Sequence, residues 1–158
     1  MRIILIVIVF LLVKFKQAIQ LGLAYILSSL TAQFLKHSFF SDALRPRKFF
    51  EGIHELYFVP GVEVYSFNSF PSGHACNAFA LFFCLALIST NNFVKFLCLL
   101  MALVISLSRV YLSQHFFMDI YVGSIIGVLS SLAAYYFLGT SSRLKGKVWM
   151  EKSLLGNA

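Results

Sequence analysis

The sequence predicts an all-α membrane protein, a polytopic bundle of about five membrane-spanning helices. Of its 158 residues, 59% are hydrophobic and 12% are charged, whereas soluble domains are about half apolar and a quarter charged. The mean hydropathy is +0.84, and the length suits one domain covering residues 1–158. These values exclude an ordinary soluble globular protein and favour a chain that inserts into lipid.

Four apolar segments approach the roughly 20 residues needed to cross a bilayer. They are Gln17 to Leu35, Ala75 to Thr90, Phe93 to Leu112, and Phe116 to Gly139. A fifth run, Ile3 to Val13, is too short alone, but Lys14 and Lys16 can lengthen it by reaching toward the headgroups. We interpret it as a short first membrane helix. A cleaved signal peptide is the alternative, although no small-residue cleavage site follows.

The longest connection, residues 36–70, is interrupted by Pro46 and by Pro60-Gly61. Apolar residues recur at helical spacing between Arg47 and Phe58, with charges among them. This pattern predicts a short amphipathic helix. Such a helix lies either at the lipid surface or against the bundle, and the sequence does not separate these two arrangements.

The basic residues predict the orientation of the bundle, because cytoplasmic loops of membrane proteins are enriched in Lys and Arg. The tail 141–158, Lys95, and the pair Lys14 and Lys16 are therefore expected in the cytoplasm. Alternating helices then place residues 36–74 and 108–119 together on the outer face. The net charge of +7 is dispersed along the chain, so no nucleic-acid partner is expected. The three cysteines fall within apolar runs, which is typical of small buried hydrophobic residues.

Arg109, His115 and Asp119 form the strongest chemical pattern. Asp119 follows His115 by four residues, which is one helical turn. A carboxylate in that position can accept the Nδ1 proton of the imidazole and leave Nε2 as a base or nucleophile. The guanidinium of Arg109 matches phosphate oxygens. His and Asp at this spacing also suit a metal ion, but the neighbouring cations favour an anion.

Pro71-Ser72-Gly73-His74 precedes the second long apolar segment. A helix N-terminus with a close backbone approach at Gly73 and a hydroxyl at Ser72 is suited to binding phosphate. His74 can then donate a proton to a leaving oxygen. The alternative is an ordinary helix start with an incidental histidine. Lys36 and Arg45-Pro46 add positive charge, and Pro46 biases Arg45 toward an extended conformation; Lys36 alone is also typical of a helix end that reaches toward the headgroups.

These three groups of residues, in this order, resemble the signatures of the type 2 phosphatidic acid phosphatase (PAP2) superfamily over residues 17–140. The resemblance implies a helical membrane bundle, usually of six spans, and a phosphatase that needs no metal or other cofactor. It implies that His115 attacks phosphorus, that Asp119 orients His115, and that His74 protonates the leaving group. The same resemblance assigns the phosphate oxygens to five residues: Lys36, Arg45, Ser72, Gly73 and Arg109.

Two departures from the family pattern stand out. Eight residues separate Lys36 from Arg45, where the family usually has six, and Ser38 occupies the position where that spacing places the lysine. The chain also has room for about five spans, which is consistent either with loss of the family's first helix or with translation from an internal Met. The role of Lys36 therefore needs structural support.

The expected function is a membrane lipid phosphatase or diphosphatase that acts on phosphatidate, phosphatidylglycerol phosphate or undecaprenyl diphosphate. Its partners are then lipid phosphates and membrane lipids, and the sequence leaves the oligomeric state open. A bacterial inner membrane, with the site on the periplasmic face, is the expected location. The alternatives are oxidation, as in vanadate-dependent haloperoxidases that share the site pattern, and non-enzymatic transport of an anion or lipid.

Overall fold

The computed structural model describes residues 15–140 and contains only helices and irregular connections within that range. We number the helices α1 (Phe15–Ser38), α2 (Pro46–Phe49), α3 (Gly73–Ile88), α4 (Asn92–Tyr111) and α5 (Phe117–Thr140). The four long helices correspond to the four predicted apolar segments, which confirms the all-α prediction. The run from Ile3 to Val13 and the tail 141–158 lie outside the described residues.

Three helices, α1, α4 and α5, are long and apolar enough to cross a membrane. Helix α3 is also apolar but has 16 residues, which corresponds to a length of about 24 Å. It packs against all three other long helices, whereas α1 and α4 do not contact each other in the part of the chain that the structure describes. The protein is therefore an integral membrane bundle. Helix α3, the shortest of the four long helices, lies at its centre.

Small residues form the interface between α3 and α5. A Cβ atom added to Gly127 would lie 2.4 Å from the Cys76 carbonyl oxygen, and one added to Gly123 would lie 2.8 Å from the Ser72 carbonyl oxygen. One turn beyond Gly127, the Ser131 hydroxyl donates to the Ala80 carbonyl at 2.7 Å. Such close backbone contact is how membrane helices associate, because lipid provides no hydrophobic force that drives them together.

Large apolar side chains lie mainly on the outside of the bundle, as expected for a surface that contacts lipid. Helix α4 shows this most clearly, with Phe93, Phe96 and Val104 each more than half exposed. The interior holds mostly alanine, serine and cysteine. The three cysteines are buried and free, which confirms their interpretation as small core residues.

The predicted amphipathic helix in the long connection is present but short, since α2 covers only Pro46–Phe49. Turns continue to residue 53, and residues 54–59 have no regular structure. Gly52 adopts a φ of +79°, a left-handed conformation that typically ends a helix. The helical spacing of the apolar residues beyond that glycine therefore does not correspond to a helix.

Candidate active site

Four helix ends meet at one face of the bundle. Helices α1 and α4 end there and α3 and α5 begin there, because consecutive long helices run in opposite directions. The segments predicted to carry chemistry lie at these ends or in the connections between them. This arrangement brings residues that are far apart in sequence into one group.

His115 and Asp119 form a buried pair at the start of α5, with 2% and 4% of their surfaces exposed. His115 Nδ1 lies 3.3 Å from Asp119 Oδ2. The same carboxylate oxygen accepts hydrogen bonds from the backbone N–H of Phe116 at 2.9 Å and from the Ser69 hydroxyl. Because a carboxylate only accepts, Nδ1 carries the proton and Nε2 keeps a lone pair.

The connection from α4 to α5 folds back so that His115 lies beside the end of α4. The Arg109 carbonyl accepts from the backbone N–H groups of Gln114 at 3.0 Å and His115 at 3.3 Å. Ser113 adopts a φ of +53°, which reverses the chain direction. Residues 112–115 therefore form a compact turn, which fixes the backbone of His115 to that of Arg109.

The charge state of His115 follows from its surroundings. Burial lowers the pKa of this imidazole below its ordinary value, and the positive charges of Arg45 and Lys36 act in the same direction. The hydrogen bond to Asp119 raises the pKa without reversing the shift. His115 is therefore neutral at pH 7, in the form that carries a lone pair.

The predicted phosphate cradle coincides with the N-terminus of α3. Ser72 is the N-cap residue, and its hydroxyl accepts from the Ala75 N–H at 3.4 Å. Its own N–H donates to the Asp119 carbonyl at 3.0 Å, which links the starts of α3 and α5. A Cβ at Gly73 would meet nothing within 4 Å, so the first turn is open to an approaching anion. His74 is exposed in this turn.

Arg45 is 9% exposed and donates through three nitrogens. Its Nε, Nη1 and Nη2 atoms donate to the carbonyls of Phe67 at 2.8 Å, Gln114 at 3.0 Å and Asn68 at 3.3 Å. The residue has φ −86° and ψ 160°, which confirms the extended conformation predicted from Pro46. Arg45 therefore ties the long connection to the turn that holds His115.

Lys36 reaches the same place despite its unusual spacing. Its Nζ atom donates to the Asn68 carbonyl at 3.1 Å, which also accepts from Arg45. Sharing one acceptor brings the two positive charges together at the end of α1. Ser38, where the family spacing places the lysine, is exposed. Of the eight residues between Lys36 and Arg45, two belong to the last turn of α1 and six form the connection.

Arg109 is oriented by two neighbouring side chains. Its Nε and Nη2 atoms each donate to the Ser108 hydroxyl at 3.1 Å, and its Nη1 atom donates to Gln114 Oε1 at 3.2 Å. The Gln114 amide in turn donates to the Glu63 carbonyl at 3.2 Å. Gln114 thus contacts Arg109 through its side chain and Arg45 through its backbone.

Sequence reasoning did not single out Ser69, Asn68 or Gln114. Ser69 is 1% exposed and bonds to the carboxylate that holds His115, but nothing in the sequence separates it from the nearby Ser66. Asn68 acts through its backbone carbonyl, which has no sequence signature. Gln114 has an amide side chain and directly precedes the candidate nucleophile. That position in the sequence could have marked it as a residue of the site.

Helix α2 packs against the residue that follows His115. The Phe116 ring lies 5.5 Å from that of Phe49 and 6.3 Å from that of Phe50, measured between centroids. This aromatic contact holds the Arg45-Pro46 segment over the turn between α4 and α5. Among residues 15–140, no three His, Cys, Asp or Glu side chains are grouped as metal ligands.

Comparison with known proteins assigns the family. The sequence model of the PAP2 superfamily matches residues 17–143, which is most of the chain. The chain belongs to the PAP2 superfamily. This membership confirms the resemblance of its three signatures and supports a membrane lipid phosphatase.

A solved structure has a similar fold. The crystal structure of LpxE from Aquifex aeolicus is similar with a TM-score of 0.66 and 24% sequence identity, covering 85% of this chain and 76% of the LpxE chain. At that identity the likeness concerns the fold. No curated protein sequence matches the chain.

Proposed function

We propose that this PAP2 protein is a metal-independent lipid phosphatase that works through a phosphohistidine intermediate. The substrate is a membrane lipid with a terminal phosphate, from the group that includes phosphatidate, phosphatidylglycerol phosphate and undecaprenyl diphosphate. The observation that carries the proposal is the buried, neutral His115, which Asp119 holds within reach of the positive charges of Arg45 and Lys36.

In the first step, the lone pair on His115 Nε2 attacks phosphorus. A P–N bond forms and the P–O bond to the leaving group breaks, with His74 giving its proton to the departing oxygen. Asp119 stabilises the positive charge that develops on the imidazole, because its carboxylate accepts the Nδ1 proton in a hydrogen bond. The lipid alcohol then leaves, or the lipid monophosphate if the substrate is a diphosphate.

In the second step, water hydrolyses the phosphohistidine. His74 takes a proton from the water, the water oxygen bonds to phosphorus, and the P–N bond breaks to release inorganic phosphate. Lys36, Arg45, Arg109 and the first turn of α3 at Ser72 and Gly73 bind the phosphate oxygens in both steps. Phosphoryl transfer depends on such positioning and charge stabilisation.

The proposed location is the inner membrane of a bacterium, with the site on the periplasmic face. This orientation rests on Lys95, which lies in α4 near the connection from α3, and on the basic residues after α5. Helix α4 begins, and α5 ends at Thr140, at the end of the bundle opposite the site. The positive-inside rule assigns that end to the cytoplasm.

The test of the proposed function is to trap the intermediate. Purified protein in detergent is mixed with phosphatidate labelled with ³²P in its phosphate and quenched within the first turnover. We expect protein-bound label that is stable to alkali and lost in acid, as for a phosphohistidine. If no label is bound to the protein under conditions where phosphate release is measurable, the result would contradict a covalent intermediate. It would favour direct attack by water.

Replacing Gln114 with leucine should weaken phosphate binding more than catalysis. The variant keeps the side-chain size but removes the acceptor for Arg109 Nη1, and a hydrogen bond to a charged group is worth enough to raise KM about tenfold. We expect the inhibition constant for inorganic phosphate to rise in parallel, with kcat changed less. Tyr111→Leu, at an exposed position at the end of α4, is the matched control. A fall in kcat at constant KM would refute this role.

A further inference from the structure

The Asp119 carboxylate oxygen that holds His115 is shared by three hydrogen-bond donors. Oδ2 accepts from the Phe116 N–H at 2.9 Å, lies 3.3 Å from His115 Nδ1, and accepts from the Ser69 hydroxyl. The first two donors lie within four residues of Asp119, so they belong to the same local turn. Ser69 precedes Asp119 by 50 residues and lies in the connection between α1 and α3. Its hydroxyl therefore ties the pair of His115 and Asp119 to a separate part of the fold.

The backbone around Ser69 is itself held by hydrogen bonds. Its N–H donates to the Ala43 carbonyl at 3.0 Å. The preceding residue, Asn68, has a φ of +56°, and its carbonyl accepts from both Lys36 and Arg45. A supporting side chain fixes its neighbour in place only if its own position is fixed by packing and hydrogen bonds. Ser69, which is 1% exposed, meets this condition.

The partner of the Ser69 hydroxyl differs from that of Ser106, a buried serine within α4. Ser106 donates to the Ala102 carbonyl at 2.8 Å, one turn earlier in the same helix. Such a bond satisfies a buried hydroxyl but acts on nothing outside the helix backbone. Ser69 instead uses its single hydroxyl proton on the carboxylate of Asp119. Its hydrogen bond therefore acts on the group that orients His115.

We propose that Ser69 is a positioning residue for phosphoryl transfer: its hydroxyl holds Asp119 Oδ2 against His115 Nδ1 and thereby orients Nε2 for attack. This role rests on the proposed function and belongs to a residue that does not contact the substrate. Positive charge develops on the imidazole as the P–N bond forms, and the carboxylate must stay in place to stabilise it. Without the Ser69 bond, Asp119 keeps the Phe116 N–H but gains freedom to turn away from the imidazole.

The test is Ser69→Ala, which removes one oxygen atom and keeps the backbone hydrogen bonds of the connection. We expect kcat for phosphatidate to fall about tenfold or more, as for the loss of a hydrogen bond to a charged group. KM and the inhibition constant for inorganic phosphate should change less than about twofold, because the phosphate-binding residues are untouched. In a rapid-quench experiment with ³²P-labelled phosphatidate, protein-bound label should form about tenfold more slowly as well.

Two further variants separate positioning from a purely structural role. Ser66→Ala changes a half-buried serine three residues earlier in the same connection, so it is the matched control and should keep the wild-type kcat. Ser69→Thr retains a hydroxyl and should recover most of the kcat that Ser69→Ala loses. Gel filtration in detergent checks that each variant is monodisperse.

The outcomes distinguish the role of Ser69 from the proposed function. A wild-type kcat in Ser69→Ala would overturn this role while leaving the lipid phosphatase intact. A loss explained by weaker phosphate binding, or an equal loss of kcat in Ser69→Thr, would overturn it too. Aggregation of Ser69→Ala would assign the hydrogen bond to stability and have the same consequence. If the wild-type protein neither releases phosphate nor binds label, the proposed function itself is wrong.

Discussion

Phosphate release is expected to stop when His115 is replaced by asparagine, with a loss of at least about four orders of magnitude in kcat. Asparagine places an amide N–H near the position of Nδ1, so it can still donate to Asp119 and fill the buried site. It has no atom at the position of Nε2. The variant should therefore fold and retain the phosphate-binding residues while losing the attacking group. The measurement is inorganic phosphate released from phosphatidate in mixed micelles, with gel filtration in detergent to check the fold.

The matched control for this experiment is His37→Asn. His37 is exposed at the end of α1, on the same face of the bundle, so the substitution makes the same chemical change outside the buried pair. We expect wild-type phosphate release from it. If His115→Asn kept more than a small fraction of the activity, a different nucleophile such as bound water would have to perform the first step.

The fold was predictable from sequence because bilayer thickness constrains helix length directly. Each long helix begins and ends within a few residues of its apolar segment, as with the segment Gln17 to Leu35 and the helix Phe15–Ser38. The connection between α1 and α3 was harder, since no such constraint acts on it. There the conformation of Gly52 limited the helix that the spacing of apolar residues had suggested.

The local parts of the site were predictable and its long-range contacts were not. The four-residue spacing predicted the contact between Asp119 and His115, although His115 lies two residues before α5 and Asp119 reaches back to it from the first turn. The N-terminus of α3 follows from Ser72-Gly73. The contacts of Arg45 and Lys36 depend on backbone carbonyls of Phe67, Asn68 and Gln114, and every residue type has such a group. Their positions emerge only once the connection has folded over the helix ends. The catalytic and binding roles of these residues remain predictions that the variants test.

Gly127→Leu should prevent stable assembly of the bundle. Even the first carbon of a side chain would lie 2.4 Å from the Cys76 carbonyl, 2.7 Å from Phe79 Cβ and 2.8 Å from the Ala80 nitrogen. Two of these three atoms belong to the backbone of α3, so α3 and α5 must separate. We expect this to cost about 3 kcal/mol or more, seen as a large fall in Tm in detergent or as loss of monodisperse protein.

The position of Gly127 makes this a test of the site as well as of stability. Ser72 caps α3 and Asp119 lies in the first turn of α5, and the Ser72 N–H donates directly to the Asp119 carbonyl. A leucine side chain that separates the two helices should therefore abolish phosphate release in any variant protein that remains folded. Gly22→Leu is the matched control, because a Cβ there meets nothing within 4 Å and the residue is exposed on α1. If Gly127→Leu were as stable and active as Gly22→Leu, close contact between α3 and α5 could not be what holds the two halves of the site together.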